Sequence, residues 1–78
     1  MAQVVYVTYQ EAQKLVPFFK HTKIHGPWKE IRESSGRILR ELENVRSIDY
    51  SPLRGDQIFL SDTDYEFLID ALAVVEGR

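Results

Sequence analysis

The chain has 78 residues, 44% of them hydrophobic and 28% charged, with a formal net charge of −2 at pH 7. Folding at this length hides only about 63% of the chain's surface, which excludes a two-domain enzyme and a doubly wound nucleotide-binding domain; the balance of apolar and charged residues excludes a disordered chain. No cysteine is present, which removes disulfide scaffolds, cysteine-bound zinc, iron–sulfur clusters and thiol nucleophiles together. A domain this small without disulfides fits a reducing compartment. The start of the chain has no basic n-region, and no run approaches the about 18 apolar residues of a membrane span. The expectation is one soluble, cytoplasmic domain over residues 1–78 with no membrane contact and no cofactor.

Val4 to Val7 is β-prone and apolar on both faces, which predicts a short, well-covered strand. Thr8-Tyr9-Gln10-Glu11 has the form of a capping box, in which Thr8 accepts from the third helical amide and Glu11 reaches back to the Thr8 amide. Tyr9, Ala12, Leu15, Val16 and Phe19 then share one helical stripe, and Pro17 is expected to kink or end that helix. Lys20 to Gly26 reads as a basic loop. Pro27 suits the first position of a second helix, whose stripe is Trp28, Ile31, Ile38, Leu42 and Val45 with Ser35 filling a seam position. Lys29, Glu33, Arg37 and Glu41 form a ladder of alternating charge. Ser34-Ser35-Gly36 is a weak point, since glycine costs about 1 kcal/mol relative to alanine. The pattern allows one helix with a soft middle or two helices meeting there, and the register favours one.

Ser47 to Tyr50 and Gln57 to Leu60 read as two strands joined by Ser51-Pro52-Leu53-Arg54-Gly55-Asp56. Ser61 caps a last helix, with Asp62 and Asp64 in its first turn, where the dipole favours anions. Leu60 and Tyr65 have the spacing of a hydrophobic staple, and Tyr65, Leu68, Ile69, Leu72 and Val75 form the stripe. The predicted order is β-α-α-β-β-α, a small α+β fold with a three-stranded sheet and helices packed on one face. Either hairpin strand is open to the first strand as its neighbour.

Catalytic chemistry finds little support. The serines lie outside any nucleophile-elbow sequence, the four glycines stand singly at 26, 36, 55 and 77, and both histidines occupy one basic segment with no acid to orient them. His21 and His25 have the four-residue spacing of helical metal ligands, but a loop containing two lysines disfavours a metal there. Arg54-Gly55-Asp56 matches an adhesion tripeptide, and a glycine at a bend explains it more simply through its tolerance of positive φ. The expectation is a protein that is not an enzyme.

Charge is polarised: residues 20–46 carry a net +3 and residues 47–78 a net −5. Asp62, Asp64, Glu66, Asp70 and Glu76 read as a solvated helix face rather than as phosphate mimics. Phe18, Phe19, Trp28, Leu53, Phe59, Phe67 and Val74 fall off or at the margin of the stripes, and aromatic anchors rimmed by charge are the composition of interaction hot spots. The favoured reading is a protein-binding module, such as an adaptor, an inhibitor or regulator of a larger complex, or a phage or mobile-element accessory protein. Its expected interface comprises Phe18, Phe19, Lys20, Lys23, Trp28, Lys29, Arg32 and Phe59, and a homodimer formed by pairing the basic centre with the acidic end is a further form of it. The alternative is nucleic-acid binding by segment 20–32 with its nearby aromatics, which the acidic pI of about 5.6 opposes.

Overall fold

The computed structural model describes residues 2–45 and 55–77. They form β1 (Ala2–Val7), α1 (Tyr9–His25), α2 (Lys29–Glu43), β2 (Asp56–Ser61) and α3 (Asp62–Val75). The expected strand Ser47–Tyr50 and connection residues 51–54 lie outside the described residues. Among the described residues the sheet has two strands: β1 pairs antiparallel with β2, Val4 facing Phe59 and Tyr6 facing Gln57. The second strand of the expected hairpin is therefore the neighbour of β1.

Local sequence explains where α1 and α3 start. At α1 the Thr8 hydroxyl accepts from the Glu11 amide at 3.2 Å, and Glu11 Oε1 accepts from the Thr8 amide at 3.0 Å. At α3 the Ser61 hydroxyl accepts from the Asp64 amide at 3.2 Å. Gln3 Nε2 donates to Asp62 Oδ1 at 2.8 Å, tying β1 to the first turn of α3. At α2 the helix begins at Lys29 with Trp28 as its cap residue. Pro27 thus stands before the cap, not in the first turn where its fixed φ suggested it.

Pro17 neither ends α1 nor separates it from a loop. The helix runs on through Lys20, Lys23 and His25, so the expected basic loop is its last two turns. The lost backbone bond costs about 3 kcal/mol, while full burial of Leu15 and Phe19 on either side contributes about 1.5–3 kcal/mol each. Packing outweighs the proline. Beyond it, Thr22 Oγ1 donates to the Phe18 carbonyl at 2.8 Å, and Lys23 complements the negative end of the helix dipole.

α2 is a single helix across Ser34-Ser35-Gly36. Ser34 and Ser35 are both buried. The Lys23 side chain of α1 crosses at Gly36, its Cε 3.8 Å from where a Gly36 Cβ would stand, an ordinary contact distance. Gly55 is a glycine for a different reason than the one expected. Gly77 is the only glycine with positive φ among the described residues. At Gly55 a Cβ would instead fall on the Val7 carbonyl and within 2.6 Å of the Thr8 nitrogen, so only glycine lets the chain enter β2 against β1.

The core combines Val7, Ile58 and Leu60 of the sheet with residues of all three helices, including Leu15, Phe19, Ile38, Leu42 and Leu68. Among the described residues helices cover one face of the sheet, and burial alternates along both strands. The expectation of a well-covered β1 is corrected accordingly: Val5 and Val7 face inward, whereas Val4 and Tyr6 are 48% and 56% exposed. The α3 stripe is rotated as well, with Leu68 and Ala71 buried and Ile69 exposed.

Candidate functional site

The residues expected to meet a partner divide into three groups in the structure. Phe19 is completely buried, which removes it from any surface. Its ring lies edge-on to Phe67 at 5.3 Å and to Phe18 at 5.1 Å, and Phe18 meets Phe67 at 6.4 Å. This T-shaped cluster, in which quadrupolar rings present edges to faces, joins α1 to α3. Phe18 is half-buried in it and also belongs to the core's margin. The proposed pairing of these two phenylalanines with Trp28 as one patch is corrected: their rings turn inward because α3 supplies Phe67, which the α1 pattern alone does not reveal.

The second group is exposed along the end of α1 and the start of α2. Lys20 and Lys23 are exposed on the end of α1, and Lys29 is exposed at the start of α2. Trp28 is 65% exposed between them and makes no side-chain cap bond, and Ile24 in the preceding turn is 69% exposed. Lys29 makes a solvent-exposed ion pair with Glu33 at 3.8 Å, an interaction contributing about 0–1 kcal/mol. Arg32 has a structural duty: its Nη1 donates to the Gly26 carbonyl at 2.8 Å and fixes the corner. Gly26 itself is buried beneath Ile31 and Arg32.

Phe59 belongs to a third place, the open face of the sheet, where it is 57% exposed directly across from Val4. Tyr6 completes an apolar patch on the same face, and Gln57 Nε2 donates to its hydroxyl at 2.8 Å. Val4 and Tyr6 escaped the sequence reading because Val4 to Val7 is apolar at every position, so period-2 alternation carries no signal. Phe59 also rims a surface pocket of about 500 Å³ shared with Arg37, Arg40, Glu41 and Asp64.

Asp64 was expected on a solvated helix face. It is 2% exposed and bound by Arg37 and by the Ser34 hydroxyl, which donates to Oδ1 at 2.7 Å. The Arg37 guanidinium holds the Asp64 carboxyl below the usual carboxylate range; burial opposes this and the Ser34 bond reinforces it. Arg37 thereby leaves the expected α2 charge ladder. This network has the chemistry of a structural clamp, with the serine hydroxyl committed to a carboxylate and no imidazole beside it.

Among the described residues no three His, Cys, Asp or Glu side chains come together as a metal site, and no helix is long and apolar enough to cross a membrane. An open groove of about 700 Å³ runs between Tyr9, Ala12, Val16 and Pro17 of α1 and Leu42 and Val45 beyond it; Glu43 is the ionisable carboxylate on its wall. Of the adhesion-like tripeptide, Arg54 lies outside the described residues. No family model matches the chain, and neither a curated protein nor a solved structure is significantly similar to it.

Proposed function

We propose that this protein is a non-enzymatic protein-binding module whose primary interface is the corner between α1 and α2. The observation that carries this reading is the exposure of Trp28 and Ile24, at 65% and 69%, in segments that also expose Lys20, Lys23 and Lys29. Exposing two large apolar side chains in contiguous turns forfeits about 1.5–3 kcal/mol of burial for each. Tryptophan is enriched among hot-spot residues, and the surrounding lysines would steer an acidic partner surface towards it. The sheet patch of Val4, Tyr6 and Phe59 is a second surface of the same kind.

The reading is tested by affinity capture from the source cell with the wild type, Trp28→Ala and Phe59→Ala as baits. Loss of a specific partner from the Trp28→Ala bait supports the corner, and loss only from Phe59→Ala moves the interface to the sheet. Retention of every partner by both variants overturns the proposal.

Nucleic-acid binding is the second reading, since Lys20, Lys23 and Lys29 flank an indole free to stack on an unpaired base. Against it, Arg32 is held by the Gly26 carbonyl, and the chain's net charge is −2 whereas nucleic-acid-binding domains are basic. Salt-sensitive binding to oligonucleotides that is lost in a Lys20→Ala/Lys23→Ala/Lys29→Ala variant would replace the first reading by the second.

A further inference from the structure

The helical course of residues 20–25 changes the chemistry of His21 and His25. In a loop these two residues have no fixed relation. In α1 they stand one turn apart on an exposed face, with ring centres 4.8 Å apart and planes inclined at 39°. A metal–nitrogen bond of about 2.1 Å and a near-tetrahedral angle put the centres of two coordinated imidazoles about 5 Å apart. The pair is thus spaced as a two-imidazole chelate. From this geometry we infer that His21 and His25 form a binding site for a borderline divalent transition metal ion.

Two features of the fold favour the site. The ion would sit over the last turn of a 17-residue helix, whose C-terminal carbonyls carry the negative end of the dipole. The lysines that count against a metal in a loop are turned away in the helix. Lys20 stands about 120° and Lys23 about 180° around the axis from the line between the histidines, and the Lys23 stem lies over Gly36 of α2. Lys14 shares the histidine face, but two turns and about 10 Å back along the axis.

The donor set defines the class of ion. Imidazole nitrogen suits Ni²⁺, Cu²⁺ and Zn²⁺, whereas Mg²⁺ and Ca²⁺ require oxygen ligands. With no third ligating side chain joining the pair among the described residues, water fills the remaining positions in a single chain. An ion held by both rings binds the helical form alone, and so stabilises the end of α1 and the corner that Trp28 occupies.

The test is calorimetric titration of the untagged full chain with Ni²⁺ in a non-chelating buffer, with Mg²⁺ as the hard-ion comparison. Saturable Ni²⁺ binding without Mg²⁺ binding is expected. His21→Gln and His25→Gln should each weaken the affinity at least about tenfold, because the second ring binds at high effective concentration. Both side chains are exposed, so helical circular dichroism should be unchanged in the variants. Ni²⁺ should raise the thermal midpoint of the wild type and of neither variant. Non-saturable binding, or wild-type affinity in either variant, overturns the site. A two-chain Ni²⁺ complex in light scattering, lost in both variants, supports it, with a second histidine pair replacing water.

Discussion

Arg37 and Asp64 join α2 to the first turn of α3 by two parallel hydrogen bonds, Nε to Oδ2 at 2.8 Å and Nη2 to Oδ1 at 3.0 Å. The pair is lopsided. The arginine side chain is 55% exposed and the aspartate side chain 3%, so the cation keeps much of its hydration while the anion gives up nearly all of its own. Ser34 satisfies part of the remaining demand from beneath, and Arg37 Nη2 also donates to the Ser34 oxygen at 3.0 Å. The buried carboxylate is therefore held by two residues of a different helix.

Removing the exposed member should cost more than its exposure suggests. Arg37→Ala leaves Asp64 buried with the Ser34 hydroxyl and its own helix end as partners. Breaking a fully buried pair costs about 3–5 kcal/mol; screening of the half-exposed arginine reduces this, and we expect about 2 kcal/mol in urea unfolding. A change below about 0.5 kcal/mol, ordinary for a surface residue, would show that Asp64 carries no stabilising interaction through Arg37.

The same clamp predicts the acid sensitivity of the fold. Unfolded aspartate takes up its proton near pH 4, whereas the native Asp64 carboxyl is held lower, first by the Arg37 hydrogen bonds. Below about pH 4 the unfolded chain binds the extra proton, so stability falls with pH there. The contribution is complete above the unfolded value and disappears once pH passes below the native one. The stability difference between wild type and Asp64→Asn, measured in urea at pH 7 and again at pH 2.5, should shrink markedly; an unchanged difference would contradict the assignment.

The glycines should respond in opposite directions to alanine. At Gly36 the new methyl meets only flexible Lys23 methylenes at 3.8 and 4.0 Å, and a helix interior gains about 0.5–1 kcal/mol from the exchange. At Gly55 it collides with β1 backbone that cannot yield without breaking the sheet. Thermal unfolding of Gly36→Ala should therefore shift upwards, and Gly55→Ala should lose cooperative unfolding or shift well downwards.

Phe19 and Trp28, both expected at a partner surface from sequence, separate cleanly by stability. Phe19→Ala opens a cavity beside Phe18 and Phe67 and should cost about 3–5 kcal/mol. Trp28→Ala removes an exposed ring without a cap bond and should change stability by no more than about 0.5 kcal/mol. Denaturation curves of the two variants decide this, and they also establish that lost binding by Trp28→Ala reports on the interface, not on unfolding.

What the chain alone determined is what depends on residues three or four apart. The Thr8–Glu11 box, the Ser61 cap, the single register of α2 and the α+β class follow from hydrogen bonds and periodicities that close within one turn or one strand. Tertiary structure decided every choice between competing partners. Arg37 lies within reach of its own helix's glutamates, yet pairs with Asp64, 27 residues away. Phe18 and Phe19 turn inward because α3 brings Phe67 to them, while Phe59 stays outside because, among the described residues, no helix covers its side of the sheet. Pro17 opposes the helix locally and is overruled by the burial of Leu15 and Phe19, and that outcome brings His21 and His25 together. The physical reason is common to all of these: local bonds set which backbone states are cheap, but burial against distant elements contributes several kcal/mol per large side chain and settles which of those states the folded chain adopts.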